Sequence, residues 1–408
     1  MVKIIILIVR KHAGEVDWIL PILNESSKKI KIITIFNSPA AYKSLCQNND
    51  LFILWKKINS QFFIEKKKDN FVYKILFKFF AKIKQKKISN FFIKKIYSLN
   101  FLKKKLNINL HEVKFIFLTY NNFSYWPNIL KKIHNSKIIR FPESQHVWNY
   151  NSKINNAKSR IFFYNRLFAD IVLLPTNSDF LRNSFFLNAK IIFCGIPKYQ
   201  SDWIKNLEIK KISKKNKIKN MVVATRPAFK GSGTKDYFSE SSYDYIIRSI
   251  VTTAKTMGNI RLVFKLHPNR DERDKIIKIC VSHSFDNFLF SSEHLIKLAQ
   301  KSDICLSMYS SAILDFLAAK KPVVEFWLRN VDNLDMIKDQ NTWSTVYSKL
   351  NLVHSVDSKE MLEKKIKYLL KNPNLSKAHL NNFFKITNNN LKNSQILKKI
   401  YNFNNNII

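Results

Sequence analysis

Short runs of Ile, Val, Leu and Phe recur along the chain without the polar alternation of a half-exposed strand. Examples are KIIILIV at 3–9 and VKFIFLT at 113–119. A strand with no polar face must be covered on both sides, which suits a parallel sheet sandwiched between helices. In the first half the strand candidates are KIIILIV, IKIITIF, LFIL, VKFIFLT, SKIIR, DIVLLP and AKIIFCG. A polar, lysine-rich stretch, LEIKKISKKNKIKN, then breaks the pattern. A second series follows with MVVAT, RLVFKL, NFLF, DICLS and PVVEF, separated by helical spacing. The 408 residues are too many for one ordinary core and suit two. The expected architecture is α/β, two doubly wound domains facing across a cleft. The first spans 1–206, a linker 207–219 and the second 220–375. The Asn-rich segment 376–408 has the spacing of a final helix returning to the first domain.

The formal net charge is +41, from 70 Lys and Arg against 29 Asp and Glu. Lys, Asn, Ile and Phe are in excess together, as a coding bias would produce, so the charge by itself is a weak sign of a polyanionic partner. The lysines are spread along the chain and no nucleic-acid module is recognisable, so no specific nucleic-acid partner is expected. Cys46, Cys194, Cys280 and Cys305 are far apart and lack C-x-x-C or zinc spacing, which implies a reducing cytoplasm and no metal site. The opening MVKIIILIV has about six consecutive apolar residues, too few for a signal segment and far short of the roughly 20 that span a bilayer.

Residues 64–105 form a basic insertion. Val72, Ile75, Leu76, Phe79, Phe80 and Ile83 follow helical spacing with Lys74, Lys78 and Lys82 beside the stripe. Such a helix either packs on its own domain or lies peripherally on an anionic membrane surface.

Three segments of the second series could carry chemistry. RLVFKL ends at His267-Pro268, where proline stops the strand and NRDERDKIIKI starts a helix. An imidazole at that corner can donate to a phosphate oxygen or exchange a proton, with Lys265 on the same face adding charge; a histidine closing a turn is the simpler alternative. Ser310 and Ser311 stand between a strand and a helix, where one caps the helix and the remaining amides face a ligand. Arg226 and Lys230 precede the turn at Gly231 and Gly233, two of only five glycines, in a loop able to close over phosphates. In the first domain Glu143 and His146 lie in a loop after a strand, where either could deprotonate an acceptor hydroxyl. Gly195 and Pro197 mark another strand end, with a tight turn as the plain explanation.

In this order, the segments resemble the GT-B superfamily of nucleotide-sugar-dependent transferases, built of two Rossmann-like domains. The likeness is to bacterial surface or capsular polysaccharide glycosyltransferases and the CDP-glycerol glycerophosphotransferase-like group. A K-x-H-P strand end is matched by Lys265, His267 and Pro268, and a D-x-x-x-[ST]-x-Y-S-S segment with a following KP by Asp303, Tyr309, Ser310, Ser311, Lys321 and Pro322. A G-x-P turn is matched by Gly195 and Pro197. Met308 stands where the family often has Asp, and Val147 where Gly usually follows the first histidine.

The resemblance implies that His267 and the Ser310–Ser311 helix start hold the diphosphate of a nucleotide-sugar or CDP-polyol donor, and that His146 is the first-domain base. It implies transfer of a sugar or polyol phosphate to a glycan or lipid-linked acceptor on the cytoplasmic side, with no metal or other cofactor. The alternatives are a nucleotide-sugar 2-epimerase, for which a Ser-Gly-Gly-x-x-Glu segment is expected where this chain has SMYSSAILDF, and a noncatalytic or nucleic-acid-binding basic protein.

Overall fold

The computed structural model describes residues 3–26, 30–65, 108–120, 136–142, 169–175, 189–207, 218–226, 239–267, 271–328, 337–339, 342–373, 377–387 and 391–402. They form two compact units, one comprising the described residues up to 198 together with 391–402, the other those from 199 to 387. The polar stretch at 208–217 and nearly all of the basic insertion lie outside the described residues.

The first unit is built on strands β1 (Lys3–Val9), β2 (Ile30–Phe36), β3 (Asn59–Ile64), β4 (Val113–Thr119), β5 (Lys137–Phe141), β6 (Ile171–Leu174) and β7 (Lys190–Phe193). They pair in parallel in the order β3-β2-β1-β4-β5-β6-β7. From Ile4 to Val9 every side chain of β1 is buried, as a central strand covered on both faces requires. Helix α1 (Ala13–Asn24) covers one face, its N-terminus capped by the His12 ring, whose Nδ1 accepts from the Gly14 amide at 3.1 Å. Helix α2 (Pro39–Cys46) starts at Ser38, whose hydroxyl accepts from the Ala41 amide.

Leu51–Leu54, which reads as a strand in the sequence, lies in helix α3 (Asn49–Ile58). Its run is too short to reveal a period. What decides is Asn48, whose side chain accepts from the Leu51 amide and caps the helix, and the burial of Leu51 and Trp55 four residues apart. The edge strand that follows, β3, has no apolar run to announce it. It is held by Phe62 against the ring cluster of Phe36, Tyr42 and Trp55.

The second unit begins with α4 (Ser201–Lys205) and contains β8 (Lys219–Ala224), α5 (Glu240–Met257), β9 (Ile260–Lys265), α6 (Arg273–Ser282), β10 (Phe288–Phe290), α7 (Leu295–Gln300), β11 (Ile304–Ser307), α8 (Ala312–Ala318) and β12 (Val323–Phe326). After a small antiparallel pair, β13 (Ile337–Asp339) and β14 (Thr342–Ser344), come α9 (Val346–Lys349), β15 (His354–Val356), α10 (Lys359–Lys371) and α11 (Lys377–Thr387). The parallel order is β10-β9-β8-β11-β12-β15. Both sheets therefore place their first and fourth strands side by side, the doubly wound arrangement expected from the two-faced apolar runs. Helix α5 stops at Gly258, whose φ of 73° lets its amide reach back to Ala254 and Lys255, a conformation that favours glycine.

Helix α12 (Asn393–Asn402) packs on α1, and Tyr401 meets Phe115 of β4 edge to face at 4.9 Å. The Gly195–Pro197 turn belongs to the same packing. Gly195 has φ 61°, the Pro197 carbonyl accepts from Asn393, and Lys198 Nζ reaches Asp17 of α1 at 2.6 Å. Both ends of that ion pair are buried. Breaking a buried ion pair by removing one partner costs about 3–5 kcal/mol, so Lys198→Ala should destabilise the first unit by about that much, whereas Asp17→Leu with Lys198→Met should recover most of the loss. Denaturant unfolding followed by circular dichroism measures both; equal losses would place the energy in packing rather than in charge.

Candidate functional site

Loops leaving neighbouring strands part where the strand order reverses, and ligands of open parallel sheets gather outside the carboxyl ends at that point. In the second unit it lies between β8 and β11. Strand β8 is followed by Thr225 and Arg226, β9 by Leu266 and His267, and β11 by Met308, Tyr309, Ser310 and Ser311. The sheet order is β9, β8, β11, so Arg226 follows the strand between the one that carries His267 and the one that carries the serines. His267 and Ser310 leave strands two spacings apart, roughly 10 Å.

Arg226 and Tyr309 are joined directly. The guanidinium Nη1 donates to the Tyr309 carbonyl at 2.6 Å, and its Cζ stands 5.0 Å from the centre of the Tyr309 ring. Tyr309 has φ 51°, a left-handed conformation unfavourable for a residue with a side chain. Packing holds it there: its ring lies 4.9 Å from that of Trp327 and 6.0 Å from that of Tyr347, and all three are buried. The left-handed residue turns the chain sharply out of β11 into α8. Such strain, over-determined by its surroundings, is typical of functional corners.

The Ser310 hydroxyl accepts from the Ala312 amide at 3.3 Å, while the Ile313 and Leu314 amides donate to the Ser310 and Ser311 carbonyls. The first amides of α8 are thus taken up within the turn, contrary to the expectation that they face a ligand. The polar groups at this corner are the two hydroxyls and the neighbouring guanidinium. Ser310, Ser311, Arg226, Lys265 and His267 are all partly exposed. The Lys265 carbonyl accepts from the Thr225 amide, locking the ends of β8 and β9.

Other motif residues stand at the opposite edge of the sheet. Asp303 accepts from the Asn220 amide and pairs with Lys219, and Lys321 Nζ donates to the Ser302 carbonyl at 2.7 Å. Asp303 latches the start of β11 to that of β8, and Lys321 latches the start of β12 to that of β11. Glu143, His146, Lys230, Gly231, Gly233 and Pro268 lie outside the described residues. Gly195 and Pro197 belong to the turn packed on α1 and α12 of the first unit.

Sequence reading gave no role to the buttress of Trp327 and Tyr347, nor to two features at the corresponding edge of the first sheet. There Arg140 is buried, and its Nη1 donates to the Thr119 and Tyr120 carbonyls; burial lowers its guanidinium to about 10. Buried Glu15 accepts from the amides of Arg10 and Lys11, fixing the β1–α1 loop. Among the described residues no three His, Cys, Asp or Glu side chains gather to hold a metal ion, and no helix is long and apolar enough to cross a membrane.

The model of the CDP-glycerol:poly(glycerophosphate) glycerophosphotransferase family matches residues 143–332, which include the β8, β9 and β11 strand ends. No curated protein matches the sequence. Among solved structures the chain is similar to a putative UDP-N-acetylglucosamine 2-epimerase from Listeria monocytogenes, at 13% identity and TM-score 0.57, covering 98% of this chain and 95% of that one. It is similar also to the Methanocaldococcus jannaschii UDP-GlcNAc 2-epimerase in complex with UDP-GlcNAc and UDP, at 12% identity and TM-score 0.53 over 98% and 99% of the two chains. A third is Anabaena HepE in complex with UDP and glucose, at 10% identity and TM-score 0.51 over the full length of both. At these identities the likeness shows the fold, two Rossmann-like lobes of the GT-B kind.

The Arg226–Tyr309 pair offers a direct stability test. A hydrogen bond from a charged donor is worth about 1.5–3 kcal/mol, so Arg226→Ala should cost the second unit that much. Arg226→Lys keeps the charge but lacks the planar fork and should restore less than half. Thermal unfolding of the three proteins measures this; a silent Arg226→Ala would show that packing alone holds Tyr309.

Proposed function

We propose that this chain is an enzyme acting on a nucleotide-activated sugar or polyol, whose diphosphate is held at the β8–β11 edge of the second sheet. What supports this reading is that Arg226, His267, Ser310 and Ser311 follow the neighbouring strands β8, β9 and β11 at the end of the sheet where the strand order reverses, with Arg226 bonded to the Tyr309 carbonyl. A guanidinium, an imidazole and two hydroxyls are suited to phosphate oxygens, and Lys265 adds a second cation. The loop with Lys230, Gly231 and Gly233 is assigned to cover the phosphates, and Glu143 and His146 to proton transfer.

Two finer readings share this site. The 2-epimerase reading has the wider support, because solved epimerase structures match nearly end to end. Inverting the carbon next to the anomeric centre requires a base to remove its proton while the nucleotide diphosphate on the neighbouring carbon leaves with the electron pair. An acid then returns the proton to the other face and the diphosphate adds back, so the same cationic groups would stabilise the departing diphosphate. The transferase reading is supported by the family model over residues 143–332 and by the K-x-H-P and Y-S-S segments. In that chemistry the same cationic groups stabilise the charge developing on the leaving nucleotide, and a glycan or lipid-linked hydroxyl accepts the group.

Thermal shift with UDP, CDP, GDP and their sugar or polyol conjugates tests the shared reading, since a ligand at 100 times its dissociation constant stabilises by about 2.7 kcal/mol. At least one should stabilise the wild type, and Arg226→Ala or His267→Ala should weaken that binding about tenfold or more. Proton NMR of the bound conjugate then separates the two chemistries. A new epimer without acceptor establishes the first; release of free nucleotide only when a glycan acceptor is added establishes the second. No stabilisation by any of them would sink the reading.

A further inference from the structure

The last in-register row of the second sheet runs Lys265, Ala224, Ser307, Glu325, Ser355. A carboxyl is out of place in a parallel sheet covered on both faces, yet Glu325 is fully buried. Thr345 donates its hydroxyl to Glu325 Oε2 at 2.5 Å. Glu325 Oε1 is buried without a hydrogen-bond partner, and so is the Ser307 hydroxyl on the adjacent strand.

Two residues beyond Ser307 and Glu325 the chain reaches Tyr309 and Trp327, whose rings meet at 4.9 Å. Thr345 is also the N-cap of α9, its hydroxyl oxygen accepting from the Ser348 amide at 3.1 Å. Helix α9 in turn brings Tyr347 against Tyr309. Glu325 is thus the peg between the sheet and the helix that buttresses the left-handed corner.

We propose that Glu325 is a positioning residue of the nucleotide site, holding Thr345 and α9 so that Tyr347 and Tyr309 present Arg226, Ser310 and Ser311. The assignment rests on the reading that this corner holds a nucleotide diphosphate. Burial pushes the Glu325 carboxyl up to about 8, with the Thr345 hydroxyl pulling the other way. A carboxyl raised above its unfolded value contributes to stability in its neutral form, and that contribution is lost as pH rises through about 8. The groups facing it are the hydroxyls of Thr345, Ser307 and Ser355. On the neighbouring helices, Asp315 of α8 accepts from Tyr199 and Lys349 of α9 is exposed. Across the sheet α5 packs Tyr245 on Phe326 and holds Glu240 and Asp244 on Lys275. On that side Lys365 of α10 acts on His354 and His379.

The test compares wild type, Glu325→Gln and Glu325→Leu, each labelled with 5-fluorotryptophan, between pH 6 and 9.5. Fluorine NMR follows Trp327, its signal assigned through Trp327→Phe, and calorimetry with UDP and CDP follows affinity. The Trp327 signal should titrate with a midpoint near 8 in the wild type and stay flat in Glu325→Gln. Wild-type affinity should fall as pH rises through the midpoint. Glu325→Gln should match the wild type at pH 6.5 and keep that affinity at pH 9, and Glu325→Leu should bind weakly throughout. A wild-type Trp327 signal that does not titrate, or a Glu325→Gln affinity that falls with pH as the wild type's does, overturns the proposal. A Trp327 signal that titrates while none of UDP, CDP, GDP and their sugar or polyol conjugates binds at any pH overturns the nucleotide reading itself and leaves Glu325 a structural carboxyl.

Discussion

Strands without a polar face have to be covered from both sides, and in each half of this chain that requirement sets everything else. Helices must lie on both faces of the sheet, and crossovers between parallel strands are right-handed. Once helices occupy both sides, the strand order has to reverse, and a gap opens between the first and fourth strands. The candidate site is a by-product of that reversal. His267, Arg226 and Ser310 are distant in sequence and come to one end of the sheet because their strands lie side by side in the order β9, β8, β11.

Much of this was legible in the sequence because burial on both faces leaves an unmistakable mark. The runs at 3–9, 30–36, 113–119, 261–266 and 303–307 fall on strands to within a residue at either end. The edge strand Asn59–Ile64 did not show, since only one side of an edge strand needs a partner and its apolar content is correspondingly low. LFIL misled because four apolar residues carry no period, and the deciding signal was a single capping asparagine upstream.

The site was legible in its parts and hidden in its coupling. Ser310 and Ser311 announce a helix start, and His267-Pro268 a strand end. Nothing in the sequence says that Tyr309 adopts a left-handed backbone, since that depends on Trp327, Tyr347 and Arg226 arriving from three other places. One clue did stand in plain view. A glutamate inside the four-residue apolar strand VVEF breaks the rule that identified the strand, and such breaks mark places where structure is given up for another purpose.

The packing of α12 on α1 bears on how the chain is made. Helix α1 is buried along nearly all its length, and part of its cover is the helix at 393–402, on the far side of the second unit in sequence. During synthesis that cover emerges roughly 370 residues after α1, on the order of tens of seconds later at ordinary rates. The second unit, contiguous from 199 to 387 among the described residues, can close on itself meanwhile. The half whose first strands are translated earlier is therefore the half whose packing is completed later, once the helix at 393–402 has emerged.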